Sequence, residues 1–286
     1  MKNIFILLLL LFLPMKLFGT KQAPDRMIYK GDTTFLFTYP LEWYPNCELI
    51  NKKNLFKSNI DGFSTDCWRG YIATWEITDN ELYLTKIEND TYRSYINDPV
   101  AYNNVGIEID SVGSEFADLE SLFPDSYING KVRADWVNGK LFVSQGKLLL
   151  EINVDFPSIY EREIEFTVVN GFIIGSALLD NSKSKRSKYT EDLKLLSDFI
   201  SSNINYDNLP KSDTIKGRVV VSIFSSDDNG KIDSVTVTRG INEIYDREAV
   251  RVVKSIPEWD VLYWHGEKFN CIWNIPVTFN KTGKNE

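Results

Sequence analysis

The most regular feature of this sequence is an alternation of apolar and polar residues that recurs between residues 33 and 179. Alternation with a period of two indicates strands with one buried face. Dipeptides that tolerate the positive φ angles of tight turns separate these runs: Asp79-Asn80, Asn138-Gly139 and Asn170-Gly171, with Gln145-Gly146 as a further turn. Because strands joined by tight turns pair antiparallel, we predict an antiparallel β-meander across residues 21–181, as a curved sheet or an open barrel.

Apolar residues at helical spacing occur in three places, one within the alternating region and two after it. Residues 114–123 are predicted to form one short helix with Ser114 as its N-cap. Thr190 is expected to cap a second helix that ends near residue 203. That helix would bury four aliphatic side chains: Leu193, Leu196, Ile200 and Ile204. A third helix is predicted at residues 246–255.

The third helix lies among predicted strands at residues 218–225, 232–239 and 271–279. This order predicts a small α+β domain at residues 206–286, in which an antiparallel sheet packs against a helix. Residues 182–205, a locally basic connector and the second helix, would join it to the β-rich domain. The predicted fold class is therefore mainly β plus α+β.

The first twenty residues have the anatomy of a secretory signal peptide. Lys2 precedes an apolar run at residues 4–15, and Lys16 and the small residue Gly19 follow it. The run is short for a membrane-spanning helix, which needs roughly 20 apolar residues. We therefore predict that residues 1–20 are a signal peptide that is cleaved off, and that the mature protein is periplasmic or secreted. The alternative is an uncleaved membrane anchor at residues 4–19.

Composition removes several classes of function. The chain has 40 acidic and 32 basic side chains, and this balance argues against a nucleic-acid partner. Its single histidine, His265, makes histidine-based metal sites and nucleophilic triads improbable. No phosphate-binding glycine loop or nucleophile elbow appears in the sequence. We predict no cofactor, no metal site, no catalytic residue and no enzymatic activity.

The three cysteines leave two interpretations open. In an exported chain, Cys47 and Cys67 could form a disulfide, which would leave Cys271 unpaired. Alternatively, all three cysteines are buried thiols that behave as small apolar residues.

The densest aromatic cluster is a possible ligand-binding face that comprises Trp68, Arg69, Tyr71 and Trp75. The Arg69 guanidinium could stack between rings over a sugar or a cationic group. Strand alternation places Tyr71 and Trp75 on one face, and aromatics on one strand face usually belong to the core. The face therefore predicts either a carbohydrate- or cell-wall-binding protein or a purely structural core.

A distributed pattern marks the last part of the chain. It reads G-x-V-x-V at residues 217–221, D-x-x-G-x-I at 227–232, V-x-V-x-x-G-I at 235–241 and D-x-E-A at 246–249. Two valines at 252–253, Trp259 and P-V-x-F at 276–279 complete it. Residues 206–281 thereby resemble the carboxy-terminal domain of the TonB family. The preceding β-rich domain resembles no family.

The resemblance implies a periplasmic domain of a Gram-negative cell envelope. Such domains bind an extended segment of an outer-membrane receptor, which adds a strand to the edge of the sheet. The implied partner-binding residues lie along the last strand: Cys271, Ile272, Trp273, Asn274, Ile275, Val277 and Phe279. If residues 4–19 stay uncleaved, the alternative is a membrane-anchored, TonB-like transducer for outer-membrane transport. A homodimer through the same edge strand is also open.

Overall fold

The computed structural model describes residues 22–60, 65–151, 158–210 and 216–280. The predicted signal segment, residues 1–20, lies outside this part of the chain. Strands form 41% and helices 26% of the structure, which confirms a mainly β plus α+β fold. None of the described helices is long and apolar enough to cross a membrane.

Five of the described strands span nine to twelve residues, and the others are shorter. In chain order they are β1 (Asp25–Tyr29), β2 (Asp32–Leu36), β3 (Tyr71–Thr78), β4 (Glu81–Asn89), β5 (Tyr127–Ile128), β6 (Lys131–Arg133), β7 (Gly139–Leu150), β8 (Ile159–Val169), β9 (Phe172–Asp180), β10 (Lys216–Ser226), β11 (Ile232–Arg239), β12 (Leu262–Trp264), β13 (Glu267–Phe269) and β14 (Trp273–Asn280).

Most helices have only one or two turns. They are α1 (Lys52–Phe56), α2 (Asp90–Asn97), α3 (Pro99–Asn104), α4 (Ile109–Val112), α5 (Leu119–Leu122), α6 (Lys188–Glu191), α7 (Leu193–Asn203) and α8 (Glu243–Lys254). Single 3₁₀ turns occur at Pro40–Trp43, Cys47–Leu49 and Tyr206–Asn208.

The chain divides into two compact units. Unit 1 comprises Met1–Val143, Glu151–Ser158 and Phe166–Ser176, and unit 2 comprises Ser144–Leu150, Ile159–Glu165 and Ala177–Glu286. The larger sheet has the strand order β3-β1-β2-β7-β8-β9-β4-β6-β5. Because β3 also pairs with β4, this order closes on itself.

The closed order is not the simple meander that the sequence predicts. Strand β1 pairs with β2 antiparallel but with β3 parallel. The long connection between β2 and β3 allows this, because parallel neighbours need a crossover rather than a tight turn.

Two of the predicted hairpin turns are confirmed. Asp79 and Asn80 have φ angles of 53° and 61° between β3 and β4, and Asn170 and Gly171 have 50° and 78° between β8 and β9. Positive φ at both positions is what a type I′ turn requires.

The predictions at Asn138-Gly139 and Gln145-Gly146 are wrong. Strand β6, which precedes Asn138, pairs with β4 and β5 rather than with β7. The Asn138 side chain instead accepts a hydrogen bond from the Asn170 amide at 2.9 Å, so it braces the turn between β8 and β9. Gly146 lies within the continuous strand β7 with a φ of 75°, and its lack of a Cβ leaves room for the Glu161 side chain.

Two predicted helix starts are also wrong. Of residues 114–123, only Leu119–Leu122 are helical, as α5, and Asp118 rather than Ser114 caps this helix. The second helix begins after Asp192, whose carboxylate accepts hydrogen bonds from the amides of Lys194 and Leu195. Aspartate provides a stronger N-cap than threonine at this position because its charge also complements the helix dipole.

Unit 2 contains the three-stranded antiparallel sheet β11-β10-β14 with α8 packed against it. Asn242 caps α8, which places Tyr245, Ala249 and Val252 in the core. Helix α7, from the segment predicted as connector, contributes to the same core through Leu196, Ile200 and Ile204. Leu193, predicted to be buried with them, is 64% exposed.

The described cysteines are all free thiols, so the Cys47–Cys67 disulfide is absent. Cys47 is exposed, Cys67 is buried and Cys271 is half-buried, so the alternative of three buried thiols is wrong as well. Burial raises the pKa of the Cys67 thiol to about 11.

Candidate functional site

The predicted partner-binding strand lies at an edge of the unit 2 sheet. Within the described residues, β14 pairs with β10 on one side and with no strand on the other. Alternate side chains of β14 face the core: Ile275, Val277 and Phe279 are buried. They anchor the strand and are not available to a partner as side chains. Ile272, just before the strand, is 61% exposed, and Cys271 is half-buried.

The free backbone groups of this edge follow from one hydrogen bond. The Asn280 amide donates to the Tyr206 hydroxyl at 3.4 Å, so it points away from β10. In an antiparallel sheet, the N–H and C=O groups of every second residue point to the same side of the strand. The backbone groups of Asn274, Pro276 and Thr278 therefore also point away from β10. Pro276 has no amide hydrogen, and a proline is tolerated in a strand at such an outward position. The edge therefore offers the amides of Asn274 and Thr278 and three carbonyls.

A groove of about 370 Å³ lies between this edge and helix α7. From α7 it is lined by Leu193, Leu196 and Ile200, and from β14 by Trp273 and Pro276. The groove is largely apolar, although Ser197 and Ser201 of α7 and Asn274 and Thr278 of β14 also line it. The exposed Leu193 side chain is explained by this position, since it lies on the wall of the groove rather than in the core.

Helix α8 fixes the far end of α7 through a buried carboxylate. Glu248 accepts hydrogen bonds from the Asn205 amide at 2.6 Å and from the Arg251 guanidinium at 2.6 Å. Arg251 also donates to the Asn203 carbonyl at the end of α7. Burial alone would raise the pKa of Glu248, but the hydrogen bonds from Arg251 and Asn205 hold that pKa below its usual value. The carboxylate thus stays charged and keeps the groove wall in place.

The predicted aromatic face divides into a core part and a surface part. Trp75 is fully buried, and its indole N–H donates to Asp25 Oδ2 at 3.0 Å. It therefore belongs to the core of unit 1. Trp68 is 61% exposed. The side chains of Arg69 and Tyr71 are largely buried, but both line a cleft at the surface.

That cleft has a volume of about 700 Å³. Trp68, Arg69 and Tyr71 form one part of its lining, and Lys52 and Lys53 of α1 form another. No sequence pattern indicated the α1 residues, because Lys52 and Arg69 are brought together only by the fold. The cleft thus includes every residue of the predicted ligand face except Trp75, and it also includes residues of α1.

The Arg69 guanidinium is held from several sides. It donates to the Ala23 carbonyl at 2.8 Å and to Asp25 Oδ1 at 3.3 Å, and it stacks 3.7 Å from the centre of the Tyr39 ring. Burial raises the pKa of Asp25 to about 6, although Arg69 and the Trp75 indole N–H act in the opposite direction. Arg69 is consequently a fixed, buried cation at the cleft.

His265 has a structural partner that the sequence did not reveal. Its Nδ1 lies 3.0 Å from Oε2 of the buried Glu163, and its backbone amide donates to the same oxygen at 3.1 Å. Asn181 Nδ2 donates to that oxygen as well. No group of residues that could hold a metal ion occurs in the described part of the chain. We interpret this cluster as a brace for the turn between β12 and β13.

No family model matches this chain, and the comparisons with curated proteins and with solved structures find no match either. The resemblance of residues 206–281 to the TonB carboxy-terminal domain therefore stays a prediction. The function has to be inferred from the groove beside β14 and the cleft at Arg69.

Proposed function

We propose that unit 2 docks an extended segment of a partner protein by strand addition along β14. The observation that carries this proposal is the coincidence of an unpaired strand edge with an apolar groove beside it. Backbone hydrogen bonds would provide affinity, and alternate side chains of the added segment would enter the groove and provide selectivity. This role is non-catalytic.

The chemistry of the edge limits the length and type of segment. Outward amides are available at Asn274 and Thr278, with the proline position between them. A bound strand would therefore make its hydrogen bonds over about five residues of β14. Its side chains that face α7 would meet Leu193, Leu196 and Trp273, so apolar residues at every second position are expected.

The cellular setting is part of the same proposal. The signal-type segment at residues 1–20 and the TonB resemblance support an exported protein of a Gram-negative envelope, with an outer-membrane receptor as the partner. A membrane-anchored transducer for outer-membrane transport is the alternative, and it requires residues 4–19 to persist in the mature protein. Mass spectrometry of the mature amino terminus separates the two: loss of about 20 residues supports the exported form.

The docking test uses the full mature chain and short peptides from the periplasmic segments of outer-membrane receptors. Amide chemical shifts at residues 273–280 should change on titration, with the largest changes at Asn274 and Thr278. Binding to a single peptide without any shift in β14 would contradict strand addition. Sedimentation at several protein concentrations tests the homodimer, which would occupy the same edge and weaken peptide binding as it forms.

Two matched variants of α7 test the groove. Leu193→Asp places a charge on the groove wall, whereas Leu195→Asp makes the same change at another exposed leucine of the helix that does not line the groove. Leu193→Asp should weaken peptide binding by about tenfold, because a carboxylate would be desolvated by the added strand. Leu195→Asp should leave affinity unchanged. Equal effects of the two variants would contradict the proposal.

A further inference from the structure

We propose that the free edge of strand β11 is a dimerisation surface, which pairs antiparallel with β11 of a second copy of this chain. The sheet of unit 2 has the order β11-β10-β14. Strand β11 therefore pairs with β10 on one side and, among the described residues, with no strand on the other. This is the opposite edge of the sheet from the docking strand β14.

The backbone groups that β11 presents outward follow from the register of the sheet. The Asn280 amide points away from β10, and by the register of β14 with β10 the groups of Ser222 then point towards β11. Ser222 pairs with Thr236, so the groups of Thr236 point towards β10. The amides and carbonyls of its neighbours, Val235 and Val237, consequently point outward and are open to a further strand.

The sequence of the strand is self-complementary about Thr236. Residues 233–239 read D-S-V-T-V-T-R. In an antiparallel copy centred on Thr236, each pair joins similar or oppositely charged side chains: Asp233 with Arg239, Ser234 with Thr238, and Val235 with Val237. Charge pairs, hydroxyl pairs and other β-branched pairs are cross-strand combinations that stabilise antiparallel sheets. The two copies would also exchange two backbone hydrogen bonds at each of the two Val235–Val237 pairs.

The second copy would supply an ion-pair partner for Arg239. This side chain is exposed, and no ion pair of its guanidinium occurs in the described part of the chain. Asp233 is exposed as well, and its carboxylate accepts a hydrogen bond from the Ser225 hydroxyl, which fixes its position near the start of β11. An Asp233–Arg239 pair would thus form at each end of the shared ladder. Charges in this arrangement favour one register and one partner.

Bulges keep the shared ladder short. The register of β11 with β10 shifts at Asp233 and at Thr238, so only residues 234–237 between them are regular on this strand. Bulges of this kind protect an edge from indefinite pairing. A two-fold dimer uses both copies of the edge at once, so association stops at two chains. Val235 and Val237 are only half-buried against the core of unit 2, and the second copy would cover them further.

Dimerisation through β11 would leave β14 free in both copies. The sheet would continue from β14-β10-β11 of one copy into β11-β10-β14 of the other, with a docking edge at each end. A partner with two extended segments would then bind more tightly than a partner with one. The dimer itself does not depend on the docking proposal, since it uses the other edge.

Disulfide cross-linking of the full mature chain tests the register. Cys47→Ser and Cys271→Ser first remove the accessible thiols. Thr236→Cys should then give a disulfide-linked dimer on mild oxidation, because the two copies of this position face each other across the two-fold axis within disulfide distance. Ser234→Cys is the matched control: the two copies of this exposed position would lie about 13 Å apart along the strands, too far for a disulfide. No cross-link in Thr236→Cys, or equal cross-linking of both variants, would overturn the proposal.

Charge exchange tests the ion pairs. Sedimentation equilibrium at several protein concentrations gives the dissociation constant of the dimer. Arg239→Asp places like charges at both ends of the ladder and should raise this constant about tenfold. The double variant Asp233→Arg, Arg239→Asp restores opposite charges and should return it to within about threefold of the wild type. Arg162→Asp, at an arginine of β8 outside this sheet, should leave it unchanged.

The remaining outcomes of sedimentation also decide the proposal. A chain that stays monomeric at every concentration, or a double variant that is as weak as Arg239→Asp, would contradict pairing through β11. Leu193→Asp changes the groove beside β14 and should leave the dimer intact. Loss of the dimer in Leu193→Asp would show that the copies pair through β14 instead. Loss of peptide binding alone in that variant leaves the β11 dimer standing and concerns the docking proposal only.

Discussion

Asp25 makes the stability of unit 1 depend on pH in an unusual direction. Its carboxylate is fully buried, and it accepts hydrogen bonds from the Ala73 amide at 3.1 Å, the Trp75 indole and Arg69. Burial outweighs these three favourable contacts and raises the pKa of Asp25 to about 6. The folded protein therefore holds the Asp25 proton more tightly than the unfolded chain does.

The size of the effect follows from the difference between the two pKa values. A rise from 3.8 in the unfolded chain to about 6 in the fold corresponds to about 3 kcal/mol. Because the folded pKa is the higher one, this stabilisation is fully present below pH 4. It is lost as the pH rises through about 6. Acidic side chains in ion pairs contribute with the opposite sign.

We expect the substitution Asp25→Asn to isolate this contribution. The free energy of unfolding is measured by urea denaturation for the wild type and for the variant between pH 4 and pH 7. The advantage of the wild type over the variant should shrink by about 2 to 3 kcal/mol across that range, since all other groups are common to both proteins. Any constant cost of losing the Arg69 ion pair shifts the whole curve and does not change its slope.

A second carboxylate serves as the control. Hydrogen bonds from Ser121 hold the pKa of Asp118 below its usual value, so Asp118→Asn should show no such decline between pH 4 and pH 7. An Asp25→Asn difference that is flat or that grows with pH would refute the inference that burial dominates at this site.

Three further predictions concern single positions. Gly113→Ala should lower the free energy of unfolding by about 3 kcal/mol or more, because Gly113 has a φ of 86° and a Cβ there would collide with the backbone. Gly106→Ala, at a φ of 78° in open space, should lower it by only about 1 kcal/mol, and thermal unfolding of the two variants tests this difference. A thiol reagent should label exposed Cys47 within seconds to minutes and buried Cys67 only on unfolding; equal rates would contradict the burial. Glu163→Gln should lower the free energy of unfolding by about 1 to 3 kcal/mol, measured in urea, because a neutral amide oxygen accepts hydrogen bonds from the His265 amide and Asn181 more weakly than a carboxylate oxygen does; an unchanged midpoint would exclude the brace.

The sequence predicted turns well where the two flanking strands also pair with each other. Asn170-Gly171 and Asn138-Gly139 carry the same local signal, but only the first forms a hairpin. The difference lies in the tertiary structure, because β6 pairs with β4 and β5 and not with β7, the strand after Asn138. Strand β1 was not predicted, because the turn that follows it has a weak sequence signal. Lys30 and Gly31 both have positive φ angles, but only glycine is a residue type that indicates such a turn.

The candidate sites show the same division. Alternation along β14 places Ile275, Val277 and Phe279 on one face, and the structure buries that face, although the resemblance implied all three as partner-binding residues. The groove beside it depends on which helix packs there, and periodicity assigned Leu193 to the core when it lies on the groove wall. Trp75 was placed on the possible ligand face because its hydrogen bond to a carboxylate fifty residues earlier cannot be read from spacing.

The position of Pro276 reconciles an exposed strand edge with the need to avoid aggregation. An unbroken edge would template pairing with further copies of the chain, and proline is one of the residues by which natural sheets prevent this. At β14 the missing amide lies between the outward amides of Asn274 and Thr278, and the Tyr206 hydroxyl already occupies the amide of Asn280. A long, regular sheet extension therefore loses hydrogen bonds at two places. Under the docking proposal, a short segment whose side chains fill the groove would compensate for that loss, so the same edge that discourages indefinite pairing would also select one kind of partner.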